Sequence, residues 1–183
     1  MKRLVILIIC SAMLCSCSVS RGIHGSLEAV GEKEEAKLYT IIIELWGKVK
    51  FSGLLALRKQ PEGLSYVMLD ATGVKLIDAE VSSSGEHQLV FAAGPMKTSR
   101  LPEVLSTSLN RMFLLAPTQY PCSEKMFVSL CVHLNDKEIL SKKMRVWPFT
   151  VWEVEESKMN GNAAFIYSQF GLDITLKELN NGR

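Results

Sequence analysis

From Tyr39 onward, apolar and polar residues alternate with the period of two that marks a half-buried strand. Val49, Phe51, Leu55 and Leu57 alternate with Lys48, Lys50, Ser52 and Arg58. Gly53 falls in the middle of that apolar face, where a strand glycine signals a bend, a bulge or the close approach of another backbone. Pro61-Glu62-Gly63 and Ala71-Thr72-Gly73 are turn chemistry around Leu64–Asp70, and Ser82–Glu86 separates Val74–Val81 from Gln88–Ala92. Between Ser99 and Leu115 the period changes. Leu101, Val104, Leu105, Leu109, Met112 and Phe113 recur at three and four, giving one helix that Ser99 can cap and that Pro117 and Pro121 end. Strand rhythm resumes at Met126–Leu134 and at Glu138–Trp147, with Phe149–Glu155 read as a continuation past a kink at Pro148. Ala163–Ser168 and Phe170–Leu179 follow the Asn160-Gly161 turn signal.

The pattern predicts a mainly β, α+β domain: a curved antiparallel sheet or half-barrel of about nine or ten strands, with one or two helices on its concave face. A second short helix is conceivable near Leu27. Each clean strand is apolar on one side only, so the sheet has one continuous apolar surface. A single helix cannot cover so wide a face, and the sheet must curl on itself or leave a cavity.

The first residues follow a different logic. Lys2 and Arg3 precede the apolar run Leu4–Leu14, which is far short of the ~20 residues a membrane-crossing helix needs. It has the length and flanks of a secretory signal peptide. It closes on Leu14-Cys15-Ser16-Cys17, which resembles the bacterial lipobox, with Leu three residues before the modified cysteine and a small residue just before it. The expected organisation is a lipoprotein signal peptide (1–16), a lipidated tether (17–37) rich in Ser, Gly and charge, and a β domain (38–183). Cys17 would carry the diacylglycerol and the N-acyl chain, enough acyl groups for stable anchoring. The other reading is an ordinary signal peptide cut after Ser16 or Ser18. In a two-membrane envelope, Ser18 directs such a protein to the outer membrane, facing the periplasm, by resemblance to enteric lipoproteins.

The 183 residues fit one domain with a self-sufficient core, and 48% hydrophobic with 22% charged residues excludes a wholly disordered chain. The net charge of +2 resides in the leader: without Lys2 and Arg3, 19 basic residues face 19 acidic ones. That balance gives no case for nucleic-acid binding. Two of the five cysteines, Cys122 and Cys131, lie in the domain. They form a disulfide if the loop doubles back far enough, and are otherwise two free thiols.

Catalytic and metal signatures are sparse. His24, His87 and His133 lack helical zinc-site spacing, and there is no CxxC, GxSxG, GxGxxG or phosphate loop. Asp70, Asp78 and Glu80 surround one turn and read as solvated. Cys131 and His133 share a strand face, where two outward residues are the simpler account. The Trp147-Pro-Phe-Thr-Val-Trp152 segment can line an apolar pocket or lie in a membrane interface, although core packing is the more frequent fate. A non-enzyme without metal or dissociable cofactor is expected.

Three segments carry a family resemblance. Phe51-Ser52-Gly53-Leu54-Leu55-Ala56-Leu57-Arg58, Met68-Leu69-Asp70-Ala71-Thr72-Gly73-Val74-Lys75-Leu76, and Leu101-Pro102-Glu103-Val104-Leu105 running on to Ala116-Pro117 resemble, in order, segments of the outer-membrane lipoprotein receptor LolB and its relatives. The resemblance spans Tyr39 to Pro117. It implies a curved sheet closed by helices around an apolar cavity that takes up acyl chains, although those carriers use several helices where one is evident here. The implied function is an anchored lipid or lipoprotein carrier or acceptor. Candidate groove residues are Phe51, Leu55, Leu57, Tyr66, Met68, Met112, Phe113, Val128 and Leu130. The alternatives are an envelope scaffold or assembly module with a filled core and, third, an enzyme using Asp70 with Asp78 or Cys131 with His133.

Overall fold

The computed structural model describes residues 36–134, 140–159 and 162–179. The expected signal peptide, Cys17 and the expected tether up to residue 35, with the helix considered near Leu27, lie outside them, as does the Asn160-Gly161 turn signal. Eleven strands form one antiparallel sheet that is curved and unclosed, the half-barrel expected from the periodicity, with a helical segment on its concave face. In chain order they are β1 (Lys37–Leu45), β2 (Lys48–Gln60), β3 (Gly63–Asp70), β4 (Lys75–Ser82), β5 (His87–Ala92), β6 (Cys122–Lys125), β7 (Val128–Leu134), β8 (Leu140–Val146), β9 (Phe149–Met159), β10 (Asn162–Gln169) and β11 (Leu172–Glu178). Between β5 and β6 lie α1 (Gly94–Lys97), α2 (Leu101–Leu109) and a π-helical turn (Asn110–Leu114).

The spatial order is β5-β4-β3-β2-β1-β11-β10-β9-β8-β7-β6. The chain therefore starts at the centre, zigzags outward to the β5 edge, crosses to the β6 edge, and zigzags back until β11 pairs with β1, with Ile41 opposite Leu176 and Ile43 opposite Ile174. The crossing connection carries α2, so the topology itself sends the apolar helix over the open face.

The strand count exceeds the expected nine or ten for two local reasons. Phe149–Glu155 is not a kinked continuation of the preceding strand: Trp147-Pro148 is a hairpin tip, and Val146 pairs with Phe149 across it. The short β6, only four residues, has too few positions to show a period. Gly53 proves to be a close approach: a Cβ there would run into the Leu69 carbonyl and the Phe51 ring, beside a register shift in β3.

The core draws on both wings. Tyr39, Ile41, Leu55, Tyr66, Met68 and Ile77 come from one side, Trp152, Tyr167, Ile174 and Leu176 from the other, and Leu105, Leu109 and Met112 from above. Polar contacts fix the helical segment at both ends. The Tyr66 hydroxyl donates to the Pro102 carbonyl at 3.2 Å, which leaves its oxygen to accept from the Ser106 hydroxyl at 2.8 Å, while Asn110 Nδ2 donates to the Ser82 carbonyl. At the far end Lys142 Nζ, from β8, donates to the carbonyls of Arg111, Met112 and Leu115 at 3.0, 3.2 and 2.6 Å. These carbonyls lie at the C-terminal end of the segment, where backbone acceptors lack intrahelical partners and positive charge is favoured. Burial pulls the Lys142 ammonium below the usual lysine range, with Glu156 opposing it. Lys142→Ala strands three carbonyls and is expected to cost about 2–3 kcal/mol, with Lys142→Arg retaining part of it. Urea unfolding of the two variants checks this; equal stability of Lys142→Ala and wild type would contradict it.

Candidate functional site

The nine groove candidates separate by depth. Leu55, Leu57, Tyr66, Met68 and Met112 are buried in the single core cluster beneath α2, and Phe51, Phe113 and Leu130 pack against it partly exposed. Val128 sits at the exposed end of β7. Phe113 joins Tyr39 and Phe165 in an aromatic triad with centroids 4.7–6.2 Å apart, the edge-on spacing such rings prefer. Arg111 closes the same region, donating to Tyr167 Oη and Gln169 Oε1 and lying over the Trp152 ring at 5.5 Å. Leu55, Met68, Ile77, Leu105, Leu109, Ile174 and Leu176 expose none of their surface. A standing apolar cavity wide enough for an acyl chain would leave surface open on the residues lining it, and these seven show none. A cleft of about 660 Å³ does open at the end of the sheet holding the β2–β3 and β4–β5 turns. Its lining includes Gln60, Glu62, Glu80, Glu86 and His87, which suits polar contacts and not hydrocarbon.

The carboxylates weighed as catalytic are engaged locally. Asp70 Oδ1 accepts from the Thr72 and Val74 backbone N–H groups and the Thr72 hydroxyl, and these bonds hold its carboxyl below the usual range. Asp78 pairs with Lys75 at 2.8 Å. Cys122 and Cys131 face each other across the β6–β7 ladder with Cα atoms 4.1 Å apart and are joined as a disulfide. His133 lies close enough for the three residues to cluster within 4.8 Å. With both sulfurs in the S–S bond, neither offers a thiolate for nucleophilic attack or metal ligation.

A further group of residues escaped the periodicity altogether. Hairpin tips β1–β2, β10–β11, β8–β9 and β6–β7 all fall at one end of the sheet, opposite the polar cleft. They present Trp46, Phe170, Trp147, Phe149, Met126 and Phe127, each 68–93% exposed. Of the Trp147–Trp152 segment, Trp152 is buried in the core, its Nε1 donating to Met144 Sδ, and Val151 packs against the core partly buried. Adjacent tips are hydrogen-bonded in pairs, Trp46 N to Gly171 O at 2.7 Å and Trp147 N to Phe127 O at 2.9 Å. Trp46, Met126 and Phe170 have positive φ of 55, 54 and 45°. Such turns ordinarily use Asn, Asp or Gly, and a side chain with a Cβ costs roughly 1–2 kcal/mol in that conformation. These three are the non-glycine residues with positive φ among the described residues. The readable signal was Gly47 and Gly171, each directly after an aromatic residue between two strand patterns.

No protein-family model matches the chain, and no curated protein matches it.

Proposed function

We propose that the protein is a lipid-anchored envelope lipoprotein, held at Cys17, whose β domain is a non-catalytic module with a filled core that works through its outer surface. The observation carrying this is the helical crossing segment seated on the concave face, with the residues beneath it wholly shielded from water. The complete shielding of these residues supports the scaffold alternative over carriage in the groove. The lipobox-like Leu14-Cys15-Ser16-Cys17 supports the anchor, and a disulfide supports a compartment where such bonds persist. A distant relationship to the LolB-type receptors belongs to the same proposal, since a fold can be kept while its ligand changes.

Intact mass of the protein purified from membranes, together with mass spectrometry of organic extracts, tests both halves. The expected result is covalent acyl mass on Cys17 and no stoichiometric noncovalent lipid from a Cys17→Ala form. An unmodified Cys17 would remove the anchor. Acyl chains recovered one per protein from the Cys17→Ala form would restore the carrier.

A further inference from the structure

We infer that the aromatic hairpin rim is a membrane-docking edge that seats the domain on an anionic lipid surface. It goes beyond the proposed anchoring and rests on it only for which membrane is engaged; the surface itself stands without Cys17.

Strain and exposure coincide here. Trp46, Met126 and Phe170 occupy backbone conformations that disfavour them, at tips where their side chains contribute little to the core. A fold selected for stability alone would place Asn or Gly there. Outliers of this kind point to a function at the strained position.

The rim also has the layout of an interface belt. The tip residues 46–49, 126–127, 146–149 and 170–171 contain Lys48 and no carboxylate; Lys125 and Arg145 flank them directly, all three exposed, while Glu44, Glu124 and Asp173 lie two residues further back along the strands. Trp above all, with basic neighbours, suits the headgroup level, where an amphipathic ring has both an apolar and a wet side and the cation meets anionic lipid. Neighbouring hairpins are two strands apart, roughly 10 Å between their centres, and adjacent tips are hydrogen-bonded in pairs, so they form a narrow ridge along the sheet end. A fluid bilayer accommodates such a ridge, whereas a protein partner needs a broad complementary patch.

Register supports a common level for the tips. Passing from β9 toward β3, Ser168 lies beside Glu153 and not Phe149, and Asp70 lies beside Gly53 and not Lys48. Each step is in the same direction, the stagger that tilted strands of a curved sheet require if their turns are to end together. Gly171 then seats the Trp46 ring, since a Cβ there would overlap it. The length of the expected tether is compatible with this orientation. The tether enters at Lys37, at the opposite end of β1, but the stretch from Cys17 to Ala36 is about 20 residues and reaches up to roughly 65–70 Å when extended. β1 itself covers only about 30 Å, so anchor and rim can engage one membrane.

The test uses a chain beginning at Ser18, which retains every residue of the sheet and its core, with circular dichroism and a cooperative thermal transition confirming the fold. It is added to vesicles of phosphatidylethanolamine with about one third phosphatidylglycerol, with and without brominated acyl chains. The expected result is sedimentation with the vesicles and quenching of Trp46 and Trp147 emission by bromine, with several-fold weaker binding to phosphatidylcholine vesicles. The combined variant Trp46→Ser, Trp147→Ser, Phe170→Ser should lose binding at least tenfold. Lys48→Glu, Lys125→Glu and Arg145→Glu, which keep the aromatic tips, should abolish the preference for phosphatidylglycerol. Leu89→Ser with Phe91→Ser, exposed on edge strand β5, should bind as wild type. Absence of wild-type binding, quenching confined to Trp152, equal loss in the β5 variant, or rim-dependent self-association in place of vesicle binding would overturn the inference. Because this chain lacks Cys17, its failure speaks of the rim alone, and an unmodified Cys17 in the membrane form speaks of the anchor alone.

Discussion

Replacing Leu105 with alanine is expected to lower the free energy of unfolding by about 3–5 kcal/mol, the upper part of the range for a buried leucine. Leu105 exposes no surface and sits in the middle of the segment that crosses the concave face. The cost of such a truncation depends on how far the surroundings can collapse into the space left. Here they can collapse little. Tyr66 holds the helix through Pro102 and Ser106, Asn110 holds it through Ser82, and Lys142 holds its far end. Urea unfolding should show a lower midpoint with an unchanged slope, and Leu89→Ala on the exposed β5 should change stability by about 0.5 kcal/mol or less. A Leu105→Ala loss below about 1 kcal/mol would mean that the helix does not seal the face, and would revive acyl carriage.

The second large effect is alkaline. Burial, reinforced by the Glu178 and Glu156 carboxylates, pushes the Tyr39 hydroxyl up to about 12. Burial pushes Tyr66 up to about 12 as well, against the opposing hydrogen bond with Ser106. In the unfolded chain both ionise near 10, so between pH 10 and 12 the folded protein holds more protons than the unfolded one. Stability therefore falls as pH rises through that window, by about 3–4 kcal/mol for the two together at its upper end, solvent screening reducing the share of Tyr39. Lys142 acts with the opposite sign. Its folded pKa lies below 10.5, so as pH rises toward that value its contribution to stability increases. The stability curve should be flat or gently rising up to about pH 10 and then drop steeply. Tyr66→Phe should remove more than half of the drop, while costing about 1–2 kcal/mol near neutrality through its lost hydrogen bonds to Pro102 and Ser106. Urea midpoints taken across this range, with tyrosinate absorbance in parallel, check both. A flat profile to pH 12 would contradict the burial of these hydroxyls.

Much of the domain was legible before the fold. The period-two runs in Leu64–Asp70 and Val74–Val81 became β3 and β4 almost residue for residue, because a strand with one buried face must alternate. The helix was legible from Leu101 to Phe113 for the same reason at another period; Arg100 precedes it, and Ser99 Oγ accepts from the Leu101 N–H. Turn chemistry was legible at Pro61–Gly63, Ala71–Gly73 and Ser82–Glu86, and was misread at Pro148. It was not legible where an aromatic residue took the left-handed position, as at Trp46 and Phe170, so the β1–β2 boundary and the hairpin rim were hidden. Trp147 and Trp152 look alike in composition, yet one stands at a tip and the other in the core. Their separation depends on which strand partners flank them, information that the four intervening positions do not contain.

By itself, the sequence determined the class of domain, the apolar face of each strand and the longer helix, and its Leu14-Cys15-Ser16-Cys17 makes Cys17 the position to test for acylation. These follow from local covalent geometry and side-chain periodicity, which short windows contain. Only the tertiary structure decided what lies on the concave face, which cysteines meet, and which aromatic residues remain in water. The reason is the long-range pairing of β1 with β11, which places the two free edges at β5 and β6 and obliges the one helical connection to cross between them. That crossing seats apolar side chains on the concave face, and the largest apolar residues left exposed gather at the hairpin tips, with Leu89, Val90 and Phe91 exposed on the β5 edge.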